Sequence, residues 1–476
     1  MQEKFRYLPQ NERKKILLLC DDIRLHSGVA HIAKEIVVNT AQHFNWVNVG
    51  AALNHPEQGK MFDLSEDINK NTGLNDSSVK VLANSGYGNP DLIRALINGE
   101  KPDALFIITD PRYYTWLFQV ENEIRKQIPI IYLNIWDDLP APMYNRPYYE
   151  SVDALYAISR QTKFINEYVL GEKASEKLIS YVPHGLDHKV FKPLDSADKT
   201  LNAFRKELFG GKDYDYVVMF NSRNIRRKSI PDLILAYKYF VDKLEPTKRD
   251  DVTLLLHTQP VDGNGTDLPA VINALLGKGY NVHFTNKMYN PAEMNLLYNC
   301  VDVVALLSSN EGWGLALTEA LLSGTPIIAN VTGGMQDQMR FTDEKGKWYT
   351  PSKEVPSNHT GKYIKHGEWA FPVFPSNRSL QGSPPTPYIW DDRVNAEDAG
   401  QRILDVFELS PEERKAVGAK GREWATGDEA RFTAEKMAEK VITLTDELLD
   451  NWKPRNSFEL IKVGDIDNTI DHELFY

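Results

Sequence analysis

Ser308-Ser309-Asn310-Glu311-Gly312-Trp313-Gly314-Leu315-Ala316-Leu317-Thr318-Glu319-Ala320, running on to Ser323-Gly324-Thr325-Pro326, carries more structural information than any other stretch of the chain. The apolar run 301–307 before it has strand length, the glycines make a turn, and helical spacing starts near Leu315. Strand, tight turn and helix in that order form the repeating unit of a parallel α/β sheet. A turn of small residues before a helix leaves backbone N–H groups unpaired, and an anion is stabilised there. Glu311 lies in the turn and Glu319 in the helix, eight residues on. A carboxylate just inside a helix can accept hydrogen bonds from sugar hydroxyls. The plainer alternative is two solvated acids that favour the positive end of the helix dipole.

The same unit recurs on both sides. In the first half, 15–20, 46–51, 104–109, 128–135 and 154–159 read as strands; 28–40, 89–98 and 114–126 read as helices, and another helix starts at 161. The pattern restarts after Pro193, with strands at 216–220, 252–257, 282–285, 301–307 and 326–329. Helices at 230–244, 269–276 and 291–299 separate them, while 194–212 reads as a polar connector. Strands that are apolar throughout belong to parallel sheets covered on both faces. The fold class is therefore α/β, with two doubly wound units. The carboxyl ends of their strands face a crevice, where such sheets bind ligands. The expected division is 1–192 for the first unit and 193–430 for the second. Residues 341–390, rich in Pro, Gly, Ser and aromatics, read as a long insertion or lid within the second. The helix and acidic tail of 431–476 are expected to pack back on the first unit.

The chain has 476 residues, 42% of them hydrophobic and 25% charged, as in a globular protein of two domains. Its 55 Lys and Arg against 66 Asp and Glu leave a net charge of −11. That argues against a surface coated in positive charge for nucleic acid or anionic membrane. The two cysteines, Cys20 and Cys300, sit beside apolar runs and make neither a disulfide framework nor a zinc site. No segment approaches the ~20 apolar residues that span a bilayer. The charged start MQEKFRYLPQNERKK carries no secretory signal, so a cytoplasmic location is expected. No phosphate loop, G-x-G-x-x-G helix opening or H-E-x-x-H is present. Asp213-Tyr214-Asp215 and Asp465-Ile466-Asp467 have a metal-binding D-x-D form, but one precedes a strand and the other lies in the tail. No catalytic metal is expected.

The segment E-G-W-G-L-A-L-T-E-A, with G-T-P-I-I-A downstream, resembles the E-x7-E signature of retaining GT-B glycosyltransferases of the GT4 type. Trp313 stands where that family usually has Phe. Pro183-His184-Gly185-Leu186-Asp187, followed by Phe191-Lys192-Pro193, resembles its interdomain segment, with His184 in place of Asn. Arg223 and Lys228 resemble its R-L-x-x-x-K-G, with Ser222 and Ser229 where glycines are usual. Ser27-Gly28-Val29-Ala30 resembles its Gly-rich N-terminal loop, and Gly333-Gly334 its Gly pair before a short helix. The resemblance covers about 15–340 and the helix near 396–426.

The resemblance implies two Rossmann-like domains facing across a cleft, the first on the acceptor side and the second holding a nucleotide-sugar. It implies transfer of a sugar to a hydroxyl with retention of configuration. The donor, a UDP- or GDP-sugar, is a substrate, so no cofactor is implied. Arg223 and Lys228 would hold the diphosphate, where Arg offers a planar fork and Lys a point charge. Gly28, and the N–H groups of Gly314 and Leu315, would meet the phosphates. Glu319 would take the ribose hydroxyls, and Glu311 would lie at the transferred sugar. Arg226 and Arg227 flank the pair and read as a solvated loop.

On the acceptor side the family often places a His, but 134–138 has none. Asp137 is the substitute and Asp110 the second candidate for catalysis; His26 and His184 are further crevice candidates. The aromatic clusters 112–116 and 144–149 could stack a sugar or a base, or simply pack. The acceptor stays open: a glycan, a lipid-linked or small molecule, or a modified DNA base of the kind phage enzymes glycosylate. The remaining rival is a non-catalytic GT-B homologue serving as a binding subunit.

Overall fold

The continuous apolar runs form two separate sheets. A computed structural model describes residues 7–136, 138–353, 358 and 361–455. The first sheet contains β1 (Lys14–Asp21), β2 (Phe44–Ala52), β3 (Met61–Asp63), β4 (Val79–Ser85), β5 (Ala104–Ile108), β6 (Ile130–Asn134), β7 (Ala154–Ala157) and β8 (Leu178–Tyr181). Their order is β3-β4-β2-β1-β5-β6-β7-β8, parallel throughout except for the short edge strand β3. The second sheet contains β9 (Tyr216–Asn221), β10 (Val252–His257), β11 (Val282–Thr285), β12 (Val303–Leu306), β13 (Ile327–Asn330) and β14 (Ala370–Val373). It is all parallel in the order β11-β10-β9-β12-β13-β14. Strand order reverses at β1/β5 and again at β9/β12, which are the positions where doubly wound sheets open a ligand crevice.

Helix Gly28–Thr40 follows β1, and the Ser27 hydroxyl caps it by accepting from the Ala30 N–H at 3.0 Å. Its apolar stripe, Ile32, Ala33, Ile36 and Val37, is buried. The last described helix, Ala434–Asn451, packs against it rather than on the second sheet. His43 meets Asp446 at 2.8 Å across that contact. The chain thus passes between domains twice, and the two passes touch. Leu186 N–H donates to the Phe432 carbonyl at 3.2 Å and Ala434 N–H to the Leu186 carbonyl at 2.9 Å. Gly185 permits this approach: a Cβ there would lie 2.1 Å from the Thr433 carbonyl oxygen.

Several elements differ from the sequence expectation. The connector at 194–212 contains helix Lys199–Leu208, capped by Asp198, with only Leu201 buried. So little apolar surface gives no readable period. Strands β4 and β8 are partly exposed and lack the continuous apolar signature. The helix expected at 114–126 is broken into Thr115–Gln119 and Glu121–Ile124. The 341–390 stretch supplies β14 to the second sheet and most of a hairpin, β15 (Asn377–Ser383) with β16 (Thr386–Arg393). The tail beyond 455 lies outside the described residues.

The double crossing makes Gly185 a sensitive position. Gly185→Ala should destabilise the protein by about 1–3 kcal/mol, as overpacking against backbone does, and should lower the urea midpoint. An unchanged midpoint would show that the two crossings can separate without cost.

Candidate functional site

A cleft of about 1270 Å³ lies between the domains, lined by loops from the carboxyl ends of both sheets. Each domain contributes one helix N-terminus to it. Gly28 begins the first-domain helix, and helix Leu315–Ser323 begins just after Gly314, which holds φ +85°. The two starts nearly touch, since a Cβ on Gly28 would lie 3.6 Å from Leu315 Cδ1. Two positive helix ends converging in one cleft favour an anion between them.

Close backbone packing fixes the turn at 311–314. Gly334 N–H donates to the Glu311 carbonyl at 2.9 Å. A Cβ on Gly334 would lie 1.9 Å from the Gly312 carbonyl oxygen, and one on Gly333 2.2 Å from that of Glu311. This explains the Gly pair. Trp313 is buried, and its indole N–H donates to Thr318 Oγ1 at 2.8 Å, a bond that Phe could not make. Thr318 in turn donates to Gln338 at 2.8 Å, and Gln338 Nε2 donates back to the Gly314 carbonyl at 3.2 Å.

Glu311 is buried under this turn and accepts from two cations. Lys228 Nζ donates to its Oε2, and Arg227 Nη1 donates to the same oxygen at 3.0 Å and to the Asn310 carbonyl at 2.8 Å. Burial by itself would raise the Glu311 pKa; the charges of Arg227 and Lys228 and their hydrogen bonds overcome it and hold it at about 2. Lys228 reaches inward from the short turn Arg226–Lys228, which ends at Ser229 with φ +51°. Serine there holds the left-handed conformation that glycine takes without strain.

Glu319 lies in the second turn of its helix, not at its start, and lines the same cleft. The Tyr298 hydroxyl donates to it, and Asn221 Nδ2 lies 3.3 Å from the same oxygen. Burial pushes its pKa up, with the Tyr298 bond opposing. Arg223 lines the cleft too, but its side chain is 63% exposed and its Nε donates to Asp262 at 2.9 Å. The cation expected to face the diphosphate is held at the rim by a carboxylate.

The acceptor-side candidates fare differently. Asp110 lines the cleft, yet its oxygens are committed: Arg112 Nε donates at 2.8 Å and the Arg112 backbone N–H at 2.9 Å. Asp110 is thus engaged as a cap for the turn Pro111–Tyr114. Asp137 lies outside the described residues, between Trp136 and Asp138, which both line the cleft. His26 is exposed on the cleft wall. His184 is buried edge-on to Trp313 at 6.0 Å, and burial lowers its pKa to about 3, so it is neutral at pH 7. Of the aromatic clusters, Tyr113 stacks on Tyr87 at 4.7 Å and Tyr149 is core. Among the described residues no group of three His, Cys, Asp or Glu could hold a metal, and Asp213-Tyr214-Asp215 sits at the amino end of β9, away from the cleft.

Three participants escaped the sequence. Arg227 had the look of a solvated loop residue, and Tyr298 and Asn221 sit at unremarked ends of a helix and a strand. The 308–319 segment, Arg223, Lys228, Gly28, Asp110, His26 and His184 signalled the cleft; the partners that hold its acids come from elements far apart in sequence.

Residues 204–355 match the family described as Glycosyl transferases group 1. The chain is 27% identical over 165 residues to a D-inositol 3-phosphate glycosyltransferase of Salinispora arenicola, covering 34% of this chain and 36% of that relative. The match thus spans about a third of the relative's length. In structure the chain is similar to Anabaena HepE in complex with UDP and glucose, with TM-score 0.63 and 15% identity over 92% of this chain and all of that one. It is similar also to sucrose-phosphate synthase of Thermosynechococcus elongatus, with TM-score 0.64 and 14% identity at the same coverage. The fold is GT-B, and the chain resembles the GT4-like glycosyltransferases.

The low Glu311 pKa makes a pH test. A carboxylate whose folded pKa lies below its unfolded value of 4.5 stabilises the protein above pH 4.5, and the contribution fades as pH falls toward about 2. Glu311→Gln should therefore lose less stability than wild type between pH 5 and about 3. Equal losses in urea melts at the two pH values would mean the ion cluster does not hold Glu311 ionised.

Proposed function

We propose that this protein transfers a sugar from a nucleotide-sugar donor to a hydroxyl acceptor with retention of configuration. The observation that carries the reading is the convergence of two helix N-termini with Lys228, Arg227 and Arg223 on one cleft, beside the buried Glu311 and the half-buried Glu319. A donor whose leaving group is a diphosphate needs positive charge and N–H groups where negative charge develops. The Gly28 and Leu315 helix starts supply N–H groups. Lys228 and Arg223 supply the charge, Arg223 after leaving Asp262. Glu319, kept in place by Tyr298 and Asn221, accepts from the ribose hydroxyls. Glu311 lies under the turn that would face the transferred sugar.

The balance is simple. The bond from C1 of the sugar to the phosphate oxygen breaks, a bond from C1 to the acceptor oxygen forms on the same face, and the acceptor proton passes to the leaving phosphate. Among the described residues, Glu311 is tied up by two cations and Asp110 by Arg112, so neither is placed as a covalent nucleophile. A UDP-sugar is the favoured donor, supported by the UDP held in the Anabaena neighbour. The reaction needs no metal and runs in the cytoplasm. Among the described residues no helix is long and apolar enough to cross a membrane.

Titration with UDP and turnover of UDP-glucose test this. Arg223→Ala, an exposed change, should weaken UDP binding by about 1.5–3 kcal/mol, the worth of a hydrogen bond to a charged group, and leave stability alone. Lys228→Ala should do the same and also destabilise, because it leaves Glu311 buried beside one cation only. Wild type that binds no nucleotide diphosphate would overturn the reading.

The two glutamates should separate. Glu319→Gln should weaken free UDP and raise donor KM, since the ribose contact is made throughout the reaction. Glu311→Gln should lower kcat by a larger factor than it changes UDP affinity, because free UDP lacks the sugar that Glu311 is proposed to face. Activity should survive excess EDTA; loss restored by Mn²⁺ would show a metal requirement.

A further inference from the structure

The hairpin β15–β16 lies outside the 204–355 segment that matches the family. Its base is fixed to the donor loop. Asp392 N–H donates to the Ser309 carbonyl at 2.9 Å, and Asn310 Nδ2 donates to Asp391 at 3.0 Å. Asp392 is fully buried and accepts from Thr332 at 2.7 Å and from Asn330 Nδ2, through its carbonyl, at 2.9 Å. These bonds end one residue from Glu311.

The other end of the hairpin crosses to the first domain. Trp390 N–H donates to the Leu139 carbonyl at 2.7 Å, and the Tyr144 hydroxyl donates to the Tyr388 carbonyl at 3.0 Å. The Tyr388 hydroxyl donates to the Ala141 carbonyl at 3.2 Å and accepts from Met143 N–H at 3.3 Å. Arg112 Nη1 donates to Thr386 Oγ1. Ile389 and Trp390 pack against the first-domain core. The hairpin therefore joins the domains in addition to the 183–186 hinge and to the Arg160–Asp337 hydrogen bond at 2.9 Å. Gln381, Gly382, Ser383 and Thr386 line the cleft beside Asp110 and Arg112.

Two arguments fix what this wall faces. The cleft, at about 1270 Å³, exceeds the roughly 300–1,000 Å³ of a site for one small ligand, which leaves room for an acceptor beside a donor. The helix starts and Lys228 occupy the donor half, which leaves the hairpin to the acceptor half. The hairpin bridges the domains beside Asp110 and Arg112, so it bounds the length of an acceptor that enters on that side. The hairpin side of the cleft presents hydroxyls, an amide and a matched Arg–Asp pair, the partners that sugar hydroxyls use.

We propose that hairpin β15–β16, with Arg112, is the acceptor-selecting wall and admits a compact polyhydroxylated acceptor of monosaccharide or cyclitol size. The proposal rests on the transfer reading above. Because the hairpin base holds Ser309 and Asn310, an acceptor seated on its tip also bears on the position of Glu311.

The test measures UDP affinity first, so that failure of the transfer reading shows there. Nucleotide release from UDP-glucose, above acceptor-free hydrolysis, is then followed with glucose, myo-inositol, their monophosphates and maltoheptaose. A compact polyol should stimulate release and maltoheptaose should not. The phosphate arms show whether the acceptor carries a charge. The exposed double change Gln381→Ala/Ser383→Ala should raise acceptor KM at least tenfold with UDP affinity within twofold of wild type. Thr386→Val should raise acceptor KM in the same direction. Maltoheptaose used as well as glucose, or acceptor KM unchanged in both variants, would overturn the proposal.

Discussion

A carboxylate buried between two cations organises this cleft. Removing Glu311 from water is costly, and only the charges of Lys228 and Arg227 make its ionised form stable there. The cluster ties the loop after β9 to the loop after β12, neighbouring strands of the second sheet. Arg227 adds two backbone ties: its Nη1 donates to the Asn310 carbonyl at 2.8 Å, and its own carbonyl accepts from Ser309 N–H at 2.8 Å. The turn that presents Gly314 and Leu315 is thereby held before any ligand arrives. Preorganised donors cost no rearrangement at the moment charge develops.

From this cluster the constraints spread outward. Gly333 and Gly334 press against the Glu311 and Gly312 carbonyls, so β13 and its following helix cannot shift without moving the turn. Ser309 and Asn310, just before Glu311, anchor the hairpin that reaches the first domain. The hinge is fixed independently by the contact of Leu186 with Thr433, for which Gly185 is needed. Any rotation of one domain against the other is therefore felt at the hinge and at the hairpin. The loop holding Glu311 is linked to the second of these.

The sequence disclosed the parts whose physics is local. The strand cores 252–257 and 282–285, the helix at 28–40 and the Glu311–Glu319 segment each carry their own periodicity or turn chemistry. Glycine spacing marked where backbone approaches closely, and structure supplied the partner, as at Gly334. What stayed hidden depends on contacts distant in sequence. Helix Lys199–Leu208 buries one leucine, β4 and β8 are half-covered, and the helix at 114–126 breaks at Val120 under first-domain packing. In the site, Arg227 is recruited by a glutamate 84 positions later, and Asp110 is captured by its own neighbour Arg112. No composition or spacing rule separates an arginine in solvent from one that neutralises a buried acid.

Three of the cleft's cations, Lys228, Arg227 and Arg223, do not stand alike. Lys228 and Arg227 are spent on Glu311, while Arg223 is matched to Asp262 at the rim. An exposed ion pair of that kind is worth little, about 0–1 kcal/mol, so a diphosphate can draw Arg223 away at small cost. The buried cluster is different: separating Lys228 from Glu311 would strand a charge. A ligand phosphate is therefore expected to add to the Lys228–Glu311 pair, sharing the lysine, and to exchange with Asp262 for Arg223. The rigid cations set the shape of the turn and the loose one supplies the adjustable charge. That division fits the proposed transfer, in which a diphosphate is held through bond cleavage and then leaves.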